Sequence, residues 1–182
     1  MTSDQAATRP LQASYQLGHG AGGAIAAAIY AVSGGMGVMG ALATDAAPVN
    51  AVPIAASAFS LFTHNLGVLV WLSLGLVTAG LVTLATMCLN GMILGWVVGK
   101  MLLDDQGAAL VTGLLPHLPF ELGAYLCSSA ATIRVGLALA TRLLTAGRHA
   151  PPVVWPRWLL MQGVAVLLLA TGAVVERYVS HV

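Results

Sequence analysis

The chain has 182 residues, of which 58% are hydrophobic and 7% are charged, and its formal net charge is +1. Soluble domains carry about 25% charged residues, so this composition, with a mean hydropathy of +0.89, indicates an integral membrane protein. The sequence contains no Lys/Arg cluster, which argues against nucleic acid as a partner and makes the lipid bilayer the first partner that we expect.

The first candidate element begins near Leu17, after a polar segment over residues 1–16 that we predict to be a short, exposed tail. From Leu17 to Leu42 there is no charged side chain, and this length spans the roughly 30 Å hydrocarbon core of a bilayer. The end of the segment resembles a signal-peptidase cleavage site. The segment is longer than the roughly 7 to 15 apolar residues of a signal peptide, which argues against cleavage. We therefore predict a first membrane span, rich in glycine and closely packed on a neighbour.

The distribution of positive charge predicts the orientation. The polar connection over residues 44–57 has no Lys or Arg, whereas Arg142, Arg148 and Arg157 lie in or beside a Pro-rich linker over 145–157. Positively charged loops tend to stay in the cytoplasm. We therefore predict that the linker is cytoplasmic, that the 44–57 connection is outside and that the N-terminus is cytoplasmic.

The apolar run from Phe59 to Leu103 is too long for one helix of about 20 residues and predicts two spans. No charge marks the turn between them, so a broken or re-entrant helix is the alternative. A fourth span lies between Leu110 and Leu144, and the last occupies residues 158–176. The fold class expected is all-α, a polytopic transmembrane helical bundle of about five spans in a single domain over 1–182.

Gly91, Gly95 and Gly99 are spaced four residues apart on one face of the third span. Such a stripe of small residues lets helix backbones approach closely. We expect it to serve packing within the chain, and a homo-oligomer interface is the alternative.

His117 and Glu121 form the most informative motif, because ionisable side chains at membrane depth are expensive and mark candidate functional sites. Their i, i+4 spacing puts both side chains on one helical face. Pro116 and Pro119 fit only a first helical turn, so the helix is predicted to begin there. The pair is either structural or a catalytic and metal site, where His64 would be a third ligand and zinc a possible ion.

Three further polar residues fall within predicted spans. His64 and Asn65 stand at the start of the second, and Asn90 lies in the third. Together with Pro116 they are expected to form a polar core, since buried amides commonly join helices through hydrogen bonds. Arg134, three to four turns beyond Glu121, is predicted to extend its charge toward the cytoplasmic side.

Taken together, these residues resemble the stage II sporulation protein M family over roughly residues 59–144. The matching motifs are Phe62-Thr63-His64-Asn65, Leu89-Asn90-Gly91 with Leu94-Gly95, Leu115-Pro116-His117 with Phe120-Glu121-Leu122, and Gly136-Leu137. The Pro116, His117 and Glu121 positions match best. The resemblance implies a multi-pass protein of the bacterial cytoplasmic (inner) membrane, linked to cell-wall remodelling or to maturation and export of circular bacteriocins.

Two functions follow as alternatives. The first is a non-enzymatic scaffold or accessory subunit in cell-envelope remodelling or bacteriocin-like peptide maturation and export, with an ABC-type transporter or a cell-wall hydrolase as partner. The second is an intramembrane hydrolase or peptide-maturation enzyme that uses His117 and Glu121, with or without zinc. A small oligomeric channel or exporter is a third possibility, although few polar residues argue against a wide pore.

Overall fold

The structure is a computed structural model that describes residues 3–44, 57–146 and 151–180, and for residues 3–20 it describes the backbone alone. Every regular element in these ranges is helical, and five helices are long and apolar enough to cross a membrane. The predicted bundle of about five spans is confirmed. Most of the 44–57 connection and the middle of the 145–157 linker lie outside the described residues.

The first and last helices of the structure begin earlier in the chain than the sequence predicted. In chain order, the helices are α1 (Ser3–Leu42), α2 (Ala58–Ser73), α3 (Leu81–Leu103), the short α4 (Gly107–Ala109), α5 (Leu118–Leu144) and α6 (Trp155–Tyr178). The backbone is helical from Ser3, where an exposed tail was predicted, since this stretch contains several good helix formers. The last helix begins three residues before Trp158, because Pro156 occupies its first turn, where proline is favoured.

A tight turn separates α2 from α3, as the prediction of two spans requires. A 3₁₀ turn over Leu74–Leu76 follows α2, and Gly80 then takes a left-handed conformation with φ of 89°, which glycine adopts at little steric cost. The Gly80 amide donates to the Gly75 carbonyl at 2.8 Å, and the buried Thr83 hydroxyl donates to the Leu72 carbonyl at 2.7 Å. Together these bonds satisfy backbone groups that the turn frees from the helices.

The glycine stripe of α3 faces α1. A Cβ atom at Gly95 would lie 2.9 Å from the Gly34 Cα, and one at Gly99 would lie 2.8 Å from the Ala41 Cβ. A Cβ at Gly91 would lie 2.6 Å from the backbone carbonyl oxygen of Tyr30. The structure therefore places this stripe in the contact between two helices of the same chain, where any side chain would separate the backbones.

The fifth helix, α5, is the centre of the bundle, since it contacts α1, α2, α3 and α6. It begins where the prolines predict: His117 occupies the N-cap position, and its carbonyl accepts from the amides of Phe120 at 3.0 Å and Glu121 at 3.3 Å. A π-helical turn over Leu110–Leu114 precedes it. Such turns are rare and occur frequently at functional sites.

Candidate metal centre

Three ionisable side chains converge where α5 begins and α6 ends. His117 immediately precedes α5, Glu121 lies in its first turn, and Glu176 lies near the end of α6. One imidazole nitrogen and one oxygen from each carboxylate all lie within 4.8 Å of one another. We call these three residues the polar centre. The positive-inside rule predicts that this end of the bundle faces outward.

Glycine at position 172 brings the two helices close enough for this convergence. A Cβ at Gly172 would lie 3.3 Å from the Phe120 Cβ and 3.6 Å from the Glu121 Cγ. Glu176 follows Gly172 by four residues and therefore stands on the same face of α6, one turn further along. Close packing at the glycine thus directs the second carboxylate toward α5.

The imidazole of His117 is buried, with 7% of the residue exposed. Its Nδ1 lies 3.1 Å from the Ser180 hydroxyl oxygen, just beyond α6. Burial lowers the pKa of His117, and a hydrogen bond to the backbone of Gly113 in the π-helical turn opposes that shift. The lowered pKa favours the neutral imidazole, which is the form that binds metal ions.

Glu121 is held by a side-chain relay from α2. The Asn65 amide Nδ2 donates a hydrogen bond to the Glu121 Oε1, and the Tyr125 hydroxyl donates to the Asn65 Oδ1 at 3.3 Å. Asn65 and Tyr125 are both buried. The relay fixes the orientation of the Glu121 carboxylate, as outer-shell hydrogen bonds do at metal sites.

The donor set of the polar centre suits a divalent cation. Two carboxylates this close repel each other when both are ionised, and a bound cation would remove that repulsion. An imidazole nitrogen with carboxylate oxygens is a ligand set that zinc accepts at about 2.0–2.2 Å, which puts tetrahedral ligand atoms roughly 3.4 Å apart. The separations of up to 4.8 Å would have to contract by up to about 1.4 Å. Side-chain rotation supplies a movement of that size.

The other residues singled out in the sequence lie outside the polar centre. His64 is exposed and interacts electrostatically with Glu176. Asn90 donates to the Thr86 carbonyl at 2.9 Å within its own helix, so this bond joins no helices. Pro116 lies in the turn before α5.

Glu176 is the member of the polar centre that the sequence analysis did not single out. A signal for it was available in the predicted topology. With five spans, the start of the fourth and the end of the fifth lie on the same side of the membrane. The carboxylate in the last turn of the fifth span was therefore on the side where His117 and Glu121 were expected.

Comparison with known proteins relates the chain to one family. The family model described as Stage II sporulation protein M matches residues 21–181. A protein of Methanocaldococcus jannaschii described as uncharacterized is 28% identical over 125 residues, which cover 66% of this chain and 69% of that protein. No solved structure matches the chain significantly.

Proposed function

The chain belongs to the stage II sporulation protein M family, and we propose that it is a metal-dependent membrane hydrolase whose active site is formed by His117, Glu121 and Glu176. The observation that carries the proposal is the convergence of three ligand atoms within 4.8 Å from the start of one span and the end of another. Zinc is the first candidate ion, because catalytic zinc sites combine three protein ligands with one open position.

The open position explains how such a centre would act. His117, Glu121 and Glu176 would hold the ion, which would supply Lewis-acid chemistry toward water and a substrate carbonyl. His64, which is exposed and interacts electrostatically with Glu176, is the side chain that we assign to accept the proton. A peptide held at the membrane surface is the substrate class that we propose, because the polar centre lies at the ends of spans.

Metal titration by calorimetry tests the proposal on detergent-purified protein treated with a chelator. We expect wild type to bind one zinc ion. Asn65→Ala removes the donor that orients Glu121 and should weaken zinc binding by about 10- to 100-fold. Asn90→Ala is the matched control, since the Asn90 amide donates within its own helix and lies outside the polar centre, and it should bind zinc as wild type does. Wild type that binds no divalent cation would contradict the proposal.

A scaffold or accessory subunit in envelope remodelling or peptide maturation and export is the second candidate. It is favoured by the bond between Asn65 and Glu121, which joins α2 to α5 as a purely structural pair would. Its partners would be an ABC-type transporter, a cell-wall hydrolase or a second copy of the chain, in the bacterial cytoplasmic membrane.

Glu121→Gln separates the two candidates, because glutamine keeps an oxygen that accepts from Asn65 but removes the ligand charge. For the hydrolase we expect a folded, monodisperse variant with zinc binding weakened at least about 100-fold, more than the loss of an outer-shell partner costs. Size exclusion and calorimetry measure both properties. Unchanged metal binding by the folded variant would favour the scaffold.

A further inference from the structure

A cavity of about 300 Å³ lies between α5 and α6, toward the end of the bundle opposite the polar centre. Its walls come from the middle of α5, the first turns of α6 and the segment that precedes α6. Most of the lining is apolar and includes Val135, Ala138 and Val154. The predicted cytoplasmic linker over 145–157 adjoins this end.

Two arginines, Arg134 and Arg157, are among the residues that line the same cavity. Arg134 projects from the interior of a membrane span, where a positive charge is costly and is kept for a specific role. With two arginine side chains in a lining that is otherwise largely apolar, an anion is the ligand class that the cavity suits. Guanidinium matches phosphate with paired hydrogen bonds, so a phosphate group is the anion that these residues suit best.

One wall of the cavity is held in place by hydrogen bonds between the two helices. The Trp158 indole Nε1 donates to the Thr132 hydroxyl at 3.1 Å, and the Gln162 amide Nε2 donates to the same oxygen at 3.2 Å. Trp158 itself lines the cavity. The space is therefore preformed, which lowers the entropic cost of filling it.

We propose that this cavity binds the headgroup of an anionic phospholipid of the cytoplasmic leaflet. The volume is at the low end for small-molecule sites, about 300–1,000 Å³, and suits a headgroup better than a whole lipid. The acyl chains would lie along the exposed apolar face of α6, where Leu159 and Leu160 are 61% and 62% exposed. Basic pockets between spans on the cytoplasmic side recognise anionic headgroups in this way.

Native mass spectrometry of the delipidated full chain in detergent, at fixed salt, tests the site. The probes are dioctanoyl phosphatidylglycerol, dioctanoyl phosphatidylcholine and inorganic phosphate. We expect one phosphatidylglycerol to bind at least about tenfold more tightly than phosphatidylcholine, since two arginines contact the anion. Arg157→Gln, at an exposed position that does not threaten folding, should weaken phosphatidylglycerol binding about fivefold. Arg134→Lys, which keeps the charge but loses the paired geometry, should also weaken it.

Arg142→Gln is the control, because Arg142 is exposed on the last turn of α5 and does not line the cavity. It should bind phosphatidylglycerol as wild type does. Equal affinity of wild type for the two lipids would overturn the proposal, and so would equal losses in Arg142→Gln and Arg157→Gln. Inorganic phosphate binding as tightly as phosphatidylglycerol would also overturn it, by assigning the cavity to a soluble anion.

Discussion

Replacing Glu176 with glutamine is expected to lower zinc affinity by at least about 100-fold, more than the loss of an outer-shell partner costs. Glutamine has nearly the same shape, so the packing of α6 on α5 at Gly172 should be retained. The variant loses the negative charge that draws a cation and leaves only His117 and Glu121 as ligands. Competition against a zinc chelator measures the affinity.

Two comparisons make the Glu176→Gln result specific. His117→Ala should lose zinc to a similar extent, because it removes the nitrogen ligand of the same centre. His64→Ala should keep zinc binding, since His64 is exposed and stands outside the three-residue group, but it should lose hydrolytic turnover. Zinc lost in His64→Ala and kept in Glu176→Gln would show that the ligands had been assigned wrongly.

Replacing Gly95 with leucine is expected to destabilise the protein by about 2 kcal/mol or more, the upper part of the range for overpacked cores. A Cβ atom at this position would overlap the Gly34 backbone, with 2.7 Å to its carbonyl carbon. Backbone atoms of a helix cannot rotate away, so α1 and α3 would have to separate along their contact. The midpoint of unfolding in denaturing detergent measures the loss.

Gly67→Leu is the matched control for the Gly95 substitution. Gly67 is also a glycine within a span, but among the described residues nothing beyond its own helix turn lies within 4 Å of a Cβ built there. Its replacement should leave the unfolding midpoint close to that of wild type. Equal losses in the two variants would mean that the glycine stripe does not pack against α1.

Hydrophobicity and proline placement were sufficient to predict the number of spans and the start of α5. Apolar runs of spanning length are dictated by the bilayer, and Pro119 is compatible only with a first helical turn. Helix starts at Ser3 and Trp155 were missed, because polar residues can continue a helix beyond the apolar segment.

The polar centre was predicted only in part. The i, i+4 spacing of His117 and Glu121 follows from helix geometry alone. Glu176 is brought to the polar centre by the packing of α6 on α5 at Gly172. That packing is a tertiary contact, and the sequence near Glu176 carries no local signal of it. The bond between Asn65 and Glu121 could not be predicted for the same reason, because the two residues are distant in sequence. The sequence predicted only that Asn65 is a structural amide.

Zinc K-edge X-ray absorption of the purified, zinc-loaded protein tests the central claim most directly, because it reports the atoms bound to the metal. The ligand set of His117, Glu121 and Glu176 predicts nitrogen and oxygen neighbours only, at about 2.0–2.2 Å, with the signature of one imidazole ring. Sulfur neighbours at about 2.3 Å would assign the ion to Cys88 or Cys127 and contradict the account. So would protein that retains no zinc.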